Sequence, residues 1–206
     1  MHIEFLVEEL SAGAALTTIV PKILGQDVTF QMHVHQGKQD LLSRLTDRLK
    51  GYFHWLPADW RIVVLIDEDR QECDELKAQM ENAARHAGLS TKSRAARGGQ
   101  FLVLNRIAIE ELEAWFFGDV EALCTAYRGV PPTLGAQATY RDPDAINGGT
   151  WETLERVLQK AGYHKGGLPK IAAARAISEH MIPERNQSRS FQVFRDGLLQ
   201  IAREDS

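Results

Sequence analysis

Ile62-Val63-Val64-Leu65-Ile66-Asp67-Glu68-Asp69 decides how the rest of the chain is read. Five consecutive apolar residues, four of them β-branched, are too few for an ordinary helix and too apolar for a strand with one wet face. Such a run suits a central strand of a parallel sheet, covered on both sides. It stops abruptly in three acids. Ligands of parallel α/β sheets bind at the carboxyl ends of the strands, so acids delivered there are candidates for chemistry. Side chains two apart in an extended segment share a face, which lets Asp67 and Asp69 serve one ligand.

The same arrangement recurs on either side. Ile3-Glu4-Phe5-Leu6-Val7-Glu8-Glu9 is a short, largely apolar run ending in two acids, and Phe101-Leu102-Val103-Leu104 is followed by Glu110-Glu111-Leu112-Glu113. Carboxylates gathered from three segments repel one another and lose hydration, so they normally need a hard cation such as Mg²⁺ or Mn²⁺ between them. The pattern therefore predicts a metal-dependent phosphate-chemistry site. Glu8, Asp67 and Asp69 are the expected ligands, and Glu113 a further ligand or water-orienting base. Each acid also has a plainer structural role available. Asp67 to Asp69 can be a solvated loop that caps the next helix. Glu8 and Glu9 can complement a helix dipole, and Glu110, Glu111 and Glu113 can be ordinary acids of a first helical turn. Glu113 lies among Leu112, Ala114, Trp115 and Phe116, so it is expected either to pair, with Arg106, or to ligate. Lys38 and Lys170 are candidate phosphate contacts, Lys38 having a solvated first-turn position as its alternative. Lys165, Lys170, Arg175, Arg185 and Arg189 make the C-terminal part locally basic, suiting either a polyanion surface or plain helix solubility.

Working outward, residues 2 to 8 predict a strand. A helix from Ser11 to Leu24 follows, with Leu16, Ile19, Val20 and Ile23 on one face and Ser11 as N-cap. Val28 to Val34 alternates like an edge strand, and His33 and His35 on it have no third nitrogen or sulfur ligand nearby. Leu41, Leu42, Leu45, Leu49 and Phe53 predict a helix over 38–56, and another is expected from Gln71 to Ala87, stopped by Gly88. Residues 90 to 99 read as a basic, glycine-ended loop before a strand at 101–104. Strands alternating with helices predict a doubly wound, mostly parallel α/β sheet. Past Gly118 the periodicity lapses over 129–150, then Trp151 to Ala161, Pro169 to Ala176 and Phe191 to Ile201 read as helices. Ser188-Arg189-Ser190-Phe191 reads as a capped helix start. The expected division is an α/β core over 1–118 and a helical C-terminal extension over 119–206.

The bulk numbers exclude several classes. With 44% hydrophobic and 25% charged residues the chain is a folded protein, and a net charge of −4 argues against a histone-like basic binder. Cys73 and Cys124 stand apart from any metal-binding spacing. No apolar run reaches the roughly 18 residues that span a bilayer, and Met1-His2-Ile3-Glu4 lacks a basic leader, so a cytoplasmic location is expected.

The order of acids resembles the Toprim fold, in which a glutamate ends the first strand and a DxD ends a later one. Leu6-Val7-Glu8 and Asp67-Glu68-Asp69 carry that likeness. Over most of its length the chain is similar to the bacterial family DUF4276, through Phe5 to Glu9, Gly37-Lys38-Gln39-Asp40-Leu41-Leu42, Ile109 to Phe116 and Ser188 to Phe191. The Toprim resemblance implies a Rossmann-like sheet, Mg²⁺ (or Mn²⁺) and phosphodiester hydrolysis in nucleic acid. It further implies a setting in anti-phage defence with an AAA- or ABC-type ATPase as partner. Glu9 stands where that family has glycine, and Leu10 to Ala15 holds no acid, which counts against two-metal cleavage. Two other classes fit strand-end acids. One is a phosphatase of the haloacid dehalogenase type or a phosphoacceptor receiver, with an aspartyl nucleophile. The other is a degenerate Toprim-like module that binds or senses within an ATPase complex.

Overall fold

Residues 1–69, 71–96 and 99–204 are described by the computed structural model, without the side chain of Glu204. Arg97 and Gly98, part of the expected basic loop, lie outside the described residues. Four strands form one sheet: β1 (His2–Val7), β2 (Thr29–Val34), β3 (Trp60–Asp67) and β4 (Val103–Ala108). Their order is β2-β1-β3-β4, and every pairing is parallel. The chain steps outward from β1 to β2, then crosses back to β3 and continues outward to β4. The connections leaving β1 and β3 therefore diverge. That reversal opens a crevice at the carboxyl ends of the two central strands.

Helices cover both faces in a Rossmann-like layout. They are α1 (Leu10–Leu24), α2 (Lys38–Trp55), α3 (Cys73–His86), α4 (Glu113–Phe117), α5 (Val120–Ala126), α6 (Thr150–Lys160), α7 (Lys170–His180) and α8 (Arg189–Glu204). Alternation along the strands sorts the core into two layers. Phe5, Val7, Val63 and Leu65 pack with α1, α7 and α8, while Leu6, Ile62, Val64 and Ile66 pack with α2 and α3. β2, at the edge, alternates exposed and half-buried residues from Thr29 to Met32 and has no fully buried residue. The first layer runs without a break from Ile3 to Ile201, so the helices after Gly118 share the core of the sheet. α7 lies along α1, and Lys22 donates to the carbonyls of Ser178, Glu179 and Met181, capping the end of α7.

Three local expectations are corrected. β4 spans 103–108, not 101–104, because Asn105 and Arg106 continue the strand although they are polar. Both are kept inside by partners. Asn105 Nδ2 donates to Glu81 Oε1 at 2.8 Å, and Arg106 donates to the carbonyls of Asn105 and Val193 at 2.8 and 3.2 Å. Ser11 is not the cap of α1. The cap is Glu9, whose carboxylate accepts from the Ser11 hydroxyl inside the first turn. Glu110 is not in a helical turn either, since its φ of 60° places it in the left-handed region before α4 begins.

Candidate functional site

Each acid reaches the crevice for a local reason. Glu8 follows the last residue of β1, and Asp67 is the last of β3. Because Val7 is paired with Leu65, the two ends lie side by side, and the Asp67 N–H donates to Glu8 Oε2 at 3.1 Å. Asp67 is 8% exposed, and no described residue donates a hydrogen bond to its carboxylate. Burial first, then the charges of Glu113 and Glu8, push its pKa well above the usual carboxylate range. Glu8 is also raised by burial, with partial relief from the Asp67 N–H and the Lys38 charge.

The turn after β3 is laced to the turn after β4. Glu68 N–H donates to the Ala108 carbonyl at 2.9 Å, Asp69 N–H to the Glu110 carbonyl at 2.8 Å, and Glu110 N–H to Glu68 Oε2 at 3.1 Å. Asp69 and Glu110 both adopt left-handed backbone, with φ of 53° and 60°. Lys38, at the start of α2, is aimed into this turn. Gly37 takes a φ of 93° to bring it there, while its N–H donates to the Glu8 carbonyl. Lys38 Nζ lies 2.6 Å from Asp69 Oδ2 and donates to the Glu68 carbonyl at 2.9 Å, so it is buried and paired, not solvated.

Glu113 opens α4 and is 1% exposed. The expected pairing with Arg106 is not found, because Arg106 turns toward α8 and bonds Val193 instead. Glu113 Oε2 is buried with no hydrogen-bond partner among the described residues. Burial pushes its pKa up to about 7, against the opposing charge of Lys170. Lys170, the first residue of α7, stands 4.9 Å from the Trp151 ring. Burial works against its charge, but Glu113, Glu9, Glu111 and Asp67 outweigh it and raise the lysine pKa.

The structure thus brings Glu8, Asp67, Asp69, Glu113, Lys38 and Lys170 to one crevice. Beside it lies a cavity of about 650 Å³ lined by Lys38, Asp69, Glu110, Glu111, Gly148 and Gly149. Glu9 and Glu111 were legible only as neighbours of stronger candidates. Here both contribute field at Lys170, although Glu111 is also engaged in capping α6 through Thr150 Oγ1 and Trp151 N–H at 2.9 and 2.8 Å. Trp151 and the glycine pair had no signal beyond Gly-Gly itself. Of the basic residues, Arg185 is committed to Asp119 and Glu121. The His33 and His35 side chains are engaged by Glu4 and Asp40.

The donor set is carboxylate oxygen, which suits Mg²⁺ or Mn²⁺ rather than a softer ion. Glu113 Oε2 is a buried acceptor without a partner among the described residues, which a proton, a hydrogen-bond donor or a cation would satisfy. The residues present therefore fit a hard cation by chemistry. Among the described residues, no three His, Cys, Asp or Glu side chains already close on a single point, and Asp69 is held by Lys38.

Fold and site together define a parallel α/β protein with a lysine-flanked acidic crevice at its topological switch point. More particularly, the family described as "Domain of unknown function (DUF4276)" matches residues 7–199, and the chain belongs to it. No curated protein and no solved structure matches the chain. No described helix is long and apolar enough to cross a membrane.

Proposed function

We propose that this chain is a Toprim-like, metal-dependent hydrolase of phosphodiester bonds in nucleic acid, acting in the cytoplasm. Glu8, Asp67 and Asp69 would hold Mg²⁺ or Mn²⁺. What supports this most is the burial of Asp67 and Glu113 at the switch point, with Glu113 Oε2 left without a hydrogen-bond partner among the described residues. Unneutralised carboxyl groups in such a place are costly, and they accompany functional sites more often than structural ones. A cation held there would supply Lewis-acid polarisation of the phosphate and lower the pKa of a water. Glu113, with a pKa near 7, is suited to take the proton of an attacking water at neutral pH. Lys170 steadies Glu113 and faces the same space, and Lys38 offers positive charge to a phosphate once Asp69 turns from it.

The test is cleavage of end-labelled single- and double-stranded DNA and RNA with Mg²⁺ or Mn²⁺. Cleavage that disappears in Asp67→Asn supports the proposal. Equal cleavage by parent and Asp67→Asn contradicts it.

A second reading has its own support. Lys38 neutralises Asp69, and among the described residues no three acids converge, as in a module that binds or senses within an ATPase complex without cleaving. Mn²⁺ binding separates the two. Weak binding that is identical in parent and Asp67→Ala favours the binding module.

A further inference from the structure

A second site lies on the outer edge of β4, independent of the acidic crevice. Thr91 and Lys92 run beside β4 only at Val103. Beyond that point α3 and α8 flank the strand and leave a cavity of about 380 Å³, lined on its apolar side by Ile107, Ile109 and Val193. That volume is within the range of small-molecule sites, roughly 300 to 1,000 Å³.

The cavity also gathers Lys77, Arg106 and Arg189. Arg106 is 8% exposed, yet no described carboxylate stands within ion-pair distance, and among the described residues its hydrogen bonds go to the two backbone carbonyls already named. Burial draws its pKa down to about 10 against the opposing charge of Glu81, so the guanidinium keeps its charge at neutral pH. Lys77 donates to the Asn105 carbonyl at 2.9 Å and lies 3.5 Å from Glu81 Oε1. Burial and then the charge of Arg106 lower its pKa. Glu81 is shared among Thr91, Asn105, Lys77 and Arg94. Asp144, in the cavity wall, is engaged by the Ser188 hydroxyl and the Ser190 N–H, both at 2.7 Å. Asn105, also in the wall, has a fully buried Oδ1 with no partner among the described residues. The balance is surplus positive charge beside apolar walls, where an unneutralised cation is costly.

We propose that this cavity binds a small amphipathic anion. Its carboxylate or phosphate head lies among Lys77, Arg106 and Arg189, and its apolar body lies against Ile107, Ile109 and Val193. A nucleic-acid backbone offers the phosphate but no apolar body to fill such walls.

Calorimetric titration of the full chain with octanoate, hexyl phosphate and inorganic phosphate tests this. Saturable one-to-one binding of at least one alkyl anion is expected, about tenfold or more tighter than inorganic phosphate. The relative affinity of octanoate and hexyl phosphate identifies the head group. Lys77→Gln and Arg189→Gln should each weaken binding by about tenfold, the loss of one charge-assisted contact. Val193→Asp keeps all three cations and sits at a position 38% exposed, so it should fold and yet lose the alkyl anions. Melting curves without ligand confirm that each variant is folded. Absence of saturable binding, undiminished binding in the folded variants, or inorganic phosphate binding as tightly as the alkyl anions overturns the proposal.

Discussion

Replacing Glu113 by Gln tests the crevice through stability alone. The Glu113 carboxyl has a folded pKa of about 7 against an ordinary value of 4.5. A carboxyl whose pKa is raised by folding favours the folded state while it is protonated. Its contribution is therefore complete below pH 4.5 and lost as pH rises through 7. At 1.36 kcal/mol per pH unit, the difference of 7 − 4.5 corresponds to roughly 3 kcal/mol. The group is 1% exposed, so solvent screening removes little of this. Glutamine occupies nearly the same volume and cannot ionise, so the variant should lack this part of the pH dependence. Urea unfolding in EDTA at pH 5, 6, 7 and 8 gives the curves. Asp67 and Glu8 are raised as well and add slope of the same sign in both proteins; because the Glu113 charge helps to raise Asp67, the difference between parent and variant reports Glu113 together with its coupling to Asp67. That difference should grow in the variant's favour by roughly 1.4 kcal/mol per unit from about pH 5 toward 7, then level off. A difference that stays flat from pH 5 to 8 refutes the claim that burial of Glu113 outweighs the opposing charge of Lys170.

Lys170→Met should move the Glu113 titration, followed by carboxyl-carbon NMR, to a higher pH than in the parent, because the lysine charge opposes the rise. An unmoved midpoint would show that Lys170 does not face it. Asp119 binds Arg185 through two nitrogens at 2.7 and 3.0 Å, accepts from Ile182 N–H, and caps α5 through Ala122 N–H. Asp119→Ala should therefore cost about 3 kcal/mol or more in urea unfolding, and a loss below 1 kcal/mol contradicts that network. Gly118→Ala would set a methyl 2.1 Å from Asn186 Oδ1 and 2.9 Å from Ser188 N, forcing apart the contacts that seat α8. It should lower stability by about 1 to 3 kcal/mol, with an unchanged melting temperature as the opposing result.

The three strands β1, β2 and β3 were legible because their side chains declare their surroundings. β3 is unbroken apolar sequence between helices on both faces, and β2 alternates because only one face is covered. Sequence alone ends β4 at Leu104, because the polar pair Asn105-Arg106 reads as a strand end. What keeps Asn105 and Arg106 inside is Glu81 from α3 and a carbonyl of α8, distant partners that local sequence does not reveal. The nearness of Glu8 and Asp67 requires β1 and β3 to be neighbours, which alternating strands and helices permit and the strand order realises. The ion pair between Lys38 and Asp69 was not legible, because it depends on two left-handed residues, Asp69 and Glu110, turning the strand ends toward α2. Glu113 was recognisable as an acid in apolar company. That Lys170, far along the chain, faces it rather than Arg106 depends on how α7 packs against α1.

The most direct measurement is Mn²⁺ affinity, read by the loss of the free-ion electron paramagnetic resonance signal, for the parent, Glu8→Gln and Asp67→Asn. If the carboxylates ending β1 and β3 jointly hold a divalent ion, the parent binds Mn²⁺ saturably and each variant binds it at least about tenfold more weakly, since each loses an oxygen ligand. Mn²⁺ bound equally by all three proteins, or by none of them, contradicts the account.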